Sequence, residues 1–500
     1  MLGRPRHANV AVGLSIASFL LVALVASVPG SPFTPVLPAP SGGPFALAAD
    51  AVGMDSLHGS ALVAVGVAAV ALAAVAFLVL LLAAWRRTLS AKAVLMLAVA
   101  YHATLLLLPL LFSRDVYSYA AYGKIAATYH ANPYLATPAD FPGDVLARFV
   151  GPKWFDTPAV YGPLWTQLSG LVVRATSSVE AQVVAFRAIA IGASLATSFL
   201  VWRVARERWP ERAAFAVAVF GANPVVLFQS AASGHNDLLL ALGVIAALAL
   251  AFAGRDLWAT AALALATLIK ATAGIPLLLF VIARIATAPP EDRLRVAVRH
   301  VAVAAILGVA AAAPFLNTQD PTLGMAELAS HEGWLAPSRL FRRMFDAIGG
   351  ETLSILPRIV FPMLLVAVVI ELGRAVARHG VTPWRNGAAW ALGLLAAMLL
   401  GPVLLPWYVV WALPLVWLLP RVPRLVLLGS SVALTLSQWT SDPAGFATAY
   451  DANILFGHYV LTPVIVGLLG WLLLDLWRRR SDDTPLEERP RAEPAERGDR

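Results

Sequence analysis

The chain contains no cysteine, which rules out a disulfide framework, a thiolate zinc site and a cysteine nucleophile. Charge is also scarce. Asp, Glu, Lys and Arg make up 13% of the 500 residues, against about a quarter in a soluble domain. Lysine is rare, and arginine and alanine are abundant, a composition typical of a GC-rich bacterial genome. The chain has no G-x-x-x-x-G-K-[ST] phosphate loop, no G-x-G-x-x-G fingerprint and no H-E-x-x-H zinc motif. No Asp-x-Asp pair in a loop offers to hold a metal-bound nucleotide sugar. Nucleotide chemistry on the cytoplasmic face is therefore not expected, nor is a nucleic-acid partner. An activated substrate would have to arrive carried on a lipid.

What replaces charge is apolar sequence, at 59% of residues. A spanning helix needs about 20 apolar residues, somewhat fewer where the bilayer is thin. Fourteen candidate spans follow: Ala8–Val28, Ala61–Ala84, Ala93–Phe112, Val179–Val204, Ala213–Gln229, Leu238–Ala253, Leu257–Lys270, Ile275–Ile285, His300–Pro314, Ile355–Leu372, Ala388–Leu405, Tyr408–Leu419, Leu425–Gln438 and Ile454–Trp477. The first reads as a retained anchor, because its apolar run is long for a signal peptide. The expected fold is an all-α polytopic transmembrane bundle of about 13–14 spans over residues 1–477. Residues 478–500 read as a disordered, charged cytoplasmic tail.

Arginine placement orients the bundle. Arg86, Arg87 and Lys92, then Arg203–Arg212, Arg284–Arg299, Arg374–Arg385, Arg421–Arg424 and Arg478–Arg480 fall in alternate loops, which the positive-inside rule makes cytoplasmic. Both termini are then inside a bacterial plasma membrane. Only one crossing fits between the outer loop after Phe112 and the inner Arg203–Arg212. The moderately apolar Tyr161–Val173 therefore should not cross, and instead lies on the surface or dips in and returns.

Chemistry-bearing residues gather in seven outer segments. The first large outer loop, 113–178, opens with Ser113-Arg114-Asp115-Val116-Tyr117-Ser118-Tyr119. As a helix it sets Asp115, Tyr119 and Tyr122 on one face, and Asn132-Pro133-Tyr134 ends it. The others are Tyr161-Gly162-Pro163-Leu164-Trp165, Gly234-His235-Asn236-Asp237, Lys270, and a second outer loop, 315–353, with His331, Glu332, Trp334, Arg339, Arg342 and Arg343. Pro406-Trp407-Tyr408 and Asp442–Asp451 complete the set. Each also has a bland reading. Terminal Trp and Tyr form interfacial belts, Asp237 caps a helix, loop arginines meet lipid phosphates, and Lys270 snorkels. Singly, the bland reading wins for all but Asp115. Jointly, their one-sided placement favours an outward-facing site.

These stretches carry a family likeness. Arg114–Ala120, Asn132–Tyr134, Tyr161–Trp165, Gly234–Asp237, Lys270 and Pro406–Tyr408, in order from about Tyr101 to Trp477, resemble C-type glycosyltransferases. More narrowly the chain resembles the actinobacterial polyprenol-phosphomannose-dependent alpha-1,6-mannosyltransferases that extend lipomannan and lipoarabinomannan cores. The resemblance implies a polyprenyl phosphomannose donor, a glycolipid or glycan acceptor, and inversion to an alpha linkage. It implies Asp115 as base with Asp237 in reserve. Arg114, His235, Lys270 and Arg339 are then candidates for the donor phosphate. Tyr117, Tyr119, Tyr134, Trp165 and Trp334 are candidates for stacking on sugars, with Tyr161, Asn236, Trp407 and Tyr408 also expected in the substrate site. No dense carboxylate cluster demands a metal, although a divalent ion could bridge Asp115, Asp237 and the phosphate. Rival readings are a transferase for another polyprenyl-phosphate sugar, or a lipid-sugar transporter using Arg187, His102, Glu371 and Asp475 within the spans.

Overall fold

A computed structural model describes residues 4–35, 43–316, 332–378, 382–441, 445–481 and 486–490. Among them every regular element is helical. In chain order the α-helices are α1 (Arg4–Ser27), α2 (Pro44–Ala51), α3 (Gly59–Trp85), α4 (Ala91–Leu105), α5 (Asp115–Ala127), α6 (Pro152–Phe155), α7 (Pro163–Ala175), α8 (Val179–Arg208), α9 (Pro210–Gly221) and α10 (Asp237–Phe252). They continue as α11 (Asp256–Thr267), α12 (Gly274–Thr287), α13 (Arg293–Ala312), α14 (Pro337–Ser354), α15 (Leu356–Arg378), α16 (Pro383–Leu400), α17 (Arg421–Thr435), α18 (Ala447–Phe456) and α19 (Thr462–Ser481).

Seven helical segments of the described residues are long and apolar enough to cross a bilayer, and four apolar helices are shorter. The chain is thus an all-α polytopic bundle, as its composition predicts. Not all 13–14 expected crossings are continuous α-helices, however. The Ala93–Phe112 segment ends as α-helix at Leu105. The Tyr408–Leu419 segment is not α-helical: it forms two 3₁₀ turns, Pro406–Trp411 and Leu413–Leu418. Pro406 and Pro414 withhold backbone N–H groups there, and Val409, Val410 and Val416 are stiff at χ1. The candidate span 210–231 is wholly buried, and continues through a π-helical turn at Val225–Ala231. Candidate spans at the periphery bury little, 11% for Pro290–Phe315 and 22% for α15, with Ile306, Val309, Met363 and Val366 exposed. Such faces suit lipid rather than water.

The tail departs from expectation. Arg478–Arg480 continue α19 as helix. Residues 486–490 dock on the bundle, where Glu488 N–H donates to the Leu418 carbonyl. Glu487 pairs with Arg385 and Glu488 with Arg424. The charge run that reads as solvated finds opposite charges only after folding. Residues 482–485 and 491–500, residues 317–331 of the second loop with His331 among them, and Asp442 lie outside the described residues.

Candidate active site

The site is built on four backbone devices at one end of the bundle. After α4 the chain turns at Phe112, which has φ +57°, an uncommon value for a side-chain-bearing residue. The turn is pinned by Gln438, which donates to the Phe112 carbonyl at 3.0 Å, and by Phe112 N–H donating to Phe33. Ser113 Oγ then accepts from Asp115 N–H at 3.1 Å and starts α5. The second device is the Gly234–Asp237 turn that closes the π-helical turn. Gly234 has φ +76°, and a Cβ there would stand 2.5 Å from Val116, beside Asp115. Glycine alone lets this turn press on α5.

The third device is an extended pairing. Gly162 N–H donates to the Ile269 carbonyl and Leu164 N–H to the Leu268 carbonyl, each at 3.0 Å. A Cβ on Gly162 would meet the Leu268 oxygen at 2.2 Å. This clamp sets Tyr161 beside Lys270. The fourth is the 3₁₀ turn at 406–411, whose three-residue period puts Tyr408 and Trp411 on one face. Their rings stack at 4.3 Å.

Together these devices assemble a polar cluster in an apolar bundle. Asp237 is 1% exposed; its Oδ1 accepts from Lys270 Nζ at 2.7 Å and from Trp411 Nε1 at 2.6 Å. Lys270 lies 4.2 Å from the Tyr408 ring centre and 5.3 Å from that of Trp411, within cation–π range. His235 stacks on Trp407, centroids 3.7 Å apart, and directs Nδ1 to within 3.4 Å of Asp115 Oδ2. Tyr161 donates its hydroxyl to the same oxygen at 3.4 Å. These contacts on Asp115 are long, and its side chain is 15% exposed. Of the two carboxylates, Asp115 is the accessible one and Asp237 the committed one.

Electrostatics keep Asp115 ionised. Burial pushes its carboxyl upward, but His235, Ser113 and the Lys270 charge outweigh burial and hold it below the ordinary carboxylate value. Burial, reinforced by the Asp115 charge, raises the Tyr119 and Tyr161 phenols well above their ordinary value, so both remain donors. Several buried polar atoms here have no hydrogen-bond partner: both ring nitrogens of His235, both amide atoms of Asn236, Asp237 Oδ2 and the Tyr119 hydroxyl. A fold rarely orphans so many groups in one place unless a polar ligand completes them.

The other predicted residues fall in three places. Tyr134 and Trp165 are buried struts. The Tyr134 hydroxyl bonds the Tyr161 carbonyl at 2.8 Å and Thr166 at 2.9 Å, and Trp165 packs edge-on to Tyr119. Tyr117 turns away and stacks on Phe149; two residues from Asp115 on a helix, it lies on another face. Arg114 flanks Asp115 as the residue before α5. Trp334 and Arg339 belong to a basic rim. Gly333 N–H donates to the Pro402 carbonyl, so this rim sits on the segment leading to Trp407. There Arg342 pairs with Glu332 at 2.8 Å, and Arg343 donates to His458 at 3.4 Å. Burial, then the Arg343 charge, lower Arg339; burial and Arg339 lower Lys153 from the first outer loop. Cations from both outer loops therefore crowd one another.

The helix-cap reading of Asp237 does not hold, since its side chain caps nothing and serves Lys270. Trp411 escaped the sequence reading, hidden inside an apolar run; its three-residue offset from Tyr408 beside Pro406 was the available signal. No group of three or more His, Asp or Glu side chains able to hold a metal occurs among the described residues.

Fold and site thus define a polytopic helical membrane protein with a buried carboxylate–cation–imidazole cluster at one end. The family model for the alpha-(1->6)-mannopyranosyltransferase N-terminal domain matches residues 16–287. The chain belongs to that family. It is 28% identical over 331 residues to alpha-(1->6)-mannopyranosyltransferase A of Mycobacterium tuberculosis, covering 63% of each chain. It is 31% identical over 178 residues to the protein of that name from Corynebacterium glutamicum, covering 34% of this chain and 36% of the relative. A Mycolicibacterium smegmatis protein named a probable alpha-(1->6)-mannopyranosyltransferase is 26% identical over 437 residues, 78% of this chain and 75% of its own. The chain thus spans less than two thirds of the first two relatives' length. No solved structure matches it.

Proposed function

We propose that this protein transfers a mannosyl unit from polyprenyl phosphomannose to a lipid-anchored mannan acceptor, inverting the anomeric centre to an alpha-1,6 linkage. Asp115 accepts the proton of the acceptor hydroxyl as that oxygen attacks the anomeric carbon. The bond from that carbon to the phosphate oxygen breaks, and polyprenyl phosphate leaves with the bonding pair. Lys270 and His235 face the departing phosphate and balance its charge. Asp237 is a positioning residue that, with Tyr408 and Trp411, holds Lys270 in place. The observation that carries the reading is the convergence of Asp115, His235 and Lys270 with the orphaned polar atoms of Asn236, Asp237 and Tyr119.

The cluster faces outward in this reading. α10 starts at Asp237 and ends near Phe252, whose carbonyl accepts from Arg208, so the arginine-rich loops lie about 24 Å away along that helix. Positive-inside orientation puts those loops in the cytoplasm. A transporter is less well supported. Arg187 donates to the carbonyls of Ala232 and Leu105, and His102 bonds Ala98 and Ser194. Glu371 pairs with Arg374 and Asp475 with Arg479. All four candidate pathway groups are engaged locally.

The test adds labelled polyprenyl phosphomannose and a short mannoside acceptor to membranes carrying the protein, with an Asp115→Asn control. Mannosyl product from wild type only is the expected result. Failure with every lipid-linked sugar offered, from folded protein, would overturn the reading. Retained activity after exhaustive chelation would exclude a bridging divalent ion.

A further inference from the structure

A groove of about 400 Å³ lies at the opposite, arginine-rich end, between α15 and α19. Its walls are aliphatic: Leu364, Val368 and Leu372 of α15 face Leu473 and Leu476 of α19. These positions recur at helical spacing and continue into charge on both helices. On α15 the stripe runs on to Glu371, Arg374 and Arg378; on α19 it runs on to Arg480. Arg385 and Arg479 complete a lining with five guanidinium groups and Glu371 as its carboxylate. That carboxylate is shared. Arg374 reaches it at 2.6 Å, and Arg480 reaches across from the other helix at 3.4 Å. Arg385 pairs with Glu487 and Arg479 with Asp475, so the positive excess at the mouth rests on Arg374, Arg378 and Arg480 around the one Glu371 carboxylate. Beside the groove, Val366 and Ile370 of α15 and Leu474 and Trp477 of α19 are exposed, which is a lipid-facing surface in a membrane.

We infer that this groove binds an anionic phospholipid of the surrounding bilayer. An acyl chain lies along the leucine walls, and the phosphodiester sits among Arg374, Arg378 and Arg480. The chemistry matches on both counts. An apolar slot open to lipid admits a chain laterally, and a basic pocket between spans at the cytoplasmic end selects an anionic head group. α16 runs from Pro383, beside the groove, to Leu400, near the Trp407 turn, about 27 Å at helical rise. The lipid site is therefore separate from the catalytic cluster, and it stands whether or not the proposed transfer is correct.

The test uses the full chain, purified in mild detergent and examined by native mass spectrometry with added phosphatidylglycerol or phosphatidylcholine. Wild type is expected to retain phosphatidylglycerol preferentially. Arg374→Gln/Arg378→Gln should weaken that retention roughly 5- to 30-fold, since each basic residue near the surface contributes about fivefold. Arg203→Gln/Arg206→Gln, at the same end but away from the groove, should leave it intact. Leu473→Trp fills the slot while sparing every arginine, and should also abolish retention; it decides the matter if the arginine pair fails to fold. Equal retention of both lipids, or equal loss with the Arg203/Arg206 control, overturns the inference. So does displacement of phosphatidylglycerol by polyprenyl phosphate at equal concentration, which would make the groove a carrier-lipid site.

Discussion

The two ends of this bundle are both polar, but they treat polarity in opposite ways. At the arginine end most charges are matched. Arg284 meets Asp256 at 2.8 Å, Arg424 meets Glu488 at 2.6 Å, and Arg212 lies over the Trp85 ring at 3.3 Å. At the other end the Asp237 charge is matched, while Asp237 Oδ2, His235, Asn236 and Tyr119 keep unfilled hydrogen-bonding capacity and Asp115 is held by contacts of 3.4 Å. Satisfaction marks charges that orient and solubilise a membrane protein. Unmet capacity marks groups held for a substrate. The groove between α15 and α19 is the place where the arginine end departs from its own pattern.

The sharpest way to break this contrast is at the accessible carboxylate. Asp115→Asn keeps the volume and removes the base, so turnover should fall roughly 10²–10⁴-fold with the melting temperature little changed. Near-normal transfer by folded variant protein would falsify the assignment of the base.

Next in size is the buried pair. Lys270→Met leaves the buried Asp237 charge without its cation, which should cost about 3–5 kcal/mol of stability and most of the activity. Adding Asp237→Asn removes the stranded charge. The double variant should regain much of the thermal stability while remaining inactive. Recovery of activity in that double variant would mean Lys270 does not face the phosphate.

Much of this site is legible in the sequence because short polar runs stand out in an apolar chain. Asp115 and Tyr119 share a helical face by spacing alone, and they do meet Tyr161 from the second motif. The parity of arginine-rich loops argues against a crossing at Tyr161–Val173, a stretch that forms the 13-residue α7, about 20 Å long. What periodicity cannot supply is partner choice across the bundle. That Asp237 serves Lys270 rather than its own helix depends on the 268–270 turn meeting Tyr161–Leu164. That Trp411 belongs to the site depends on a 3₁₀ geometry which an apolar run conceals. Docking of Glu487 and Glu488 likewise depends on arginines contributed by α16 and α17.

Gly162 offers a smaller, geometric test of the same assembly. Gly162→Ala puts a methyl 2.2 Å from the Leu268 carbonyl, so the clamp must open. Overpacking of this kind costs about 1–3 kcal/mol. Because the shift moves Tyr161 and Lys270 apart, turnover should fall by up to about 10²-fold. A loss in Tm without a loss in turnover would detach the clamp from the site.

The pH profile sharpens the role of His235. A carboxyl held low is ionised above its folded value and loses its function as pH falls through it. Asp115 in the wild type should therefore impose no acid limb above the ordinary aspartate value of 3.8. His235→Gln removes the strongest of the groups that lower it and leaves burial opposed only by Ser113 and the Lys270 charge. The acid limb of kcat/KM should then move to higher pH, each unit amounting to about tenfold in proton affinity. An unmoved limb would place His235 at the phosphate alone.

The smallest effect is expected where the satisfied end is most exposed. Arg87 and Glu211 form a short ion pair with side chains 60% and 57% accessible. Water screens such a pair, and holding two long side chains costs entropy, so exposed pairs contribute about 0–1 kcal/mol. Arg87→Gln should therefore leave turnover unchanged and shift thermal stability by no more than that. Its informative readout is topology. Arg86 and Lys92 share that loop, and the orientation bias counts basic residues rather than ion pairs. Removing one of three should preserve insertion, whereas neutralising all three should impair it without touching the cluster at Asp115. If the single change instead abolished transfer, the two ends would be coupled through α3 and α9, and the division of labour between them would fail.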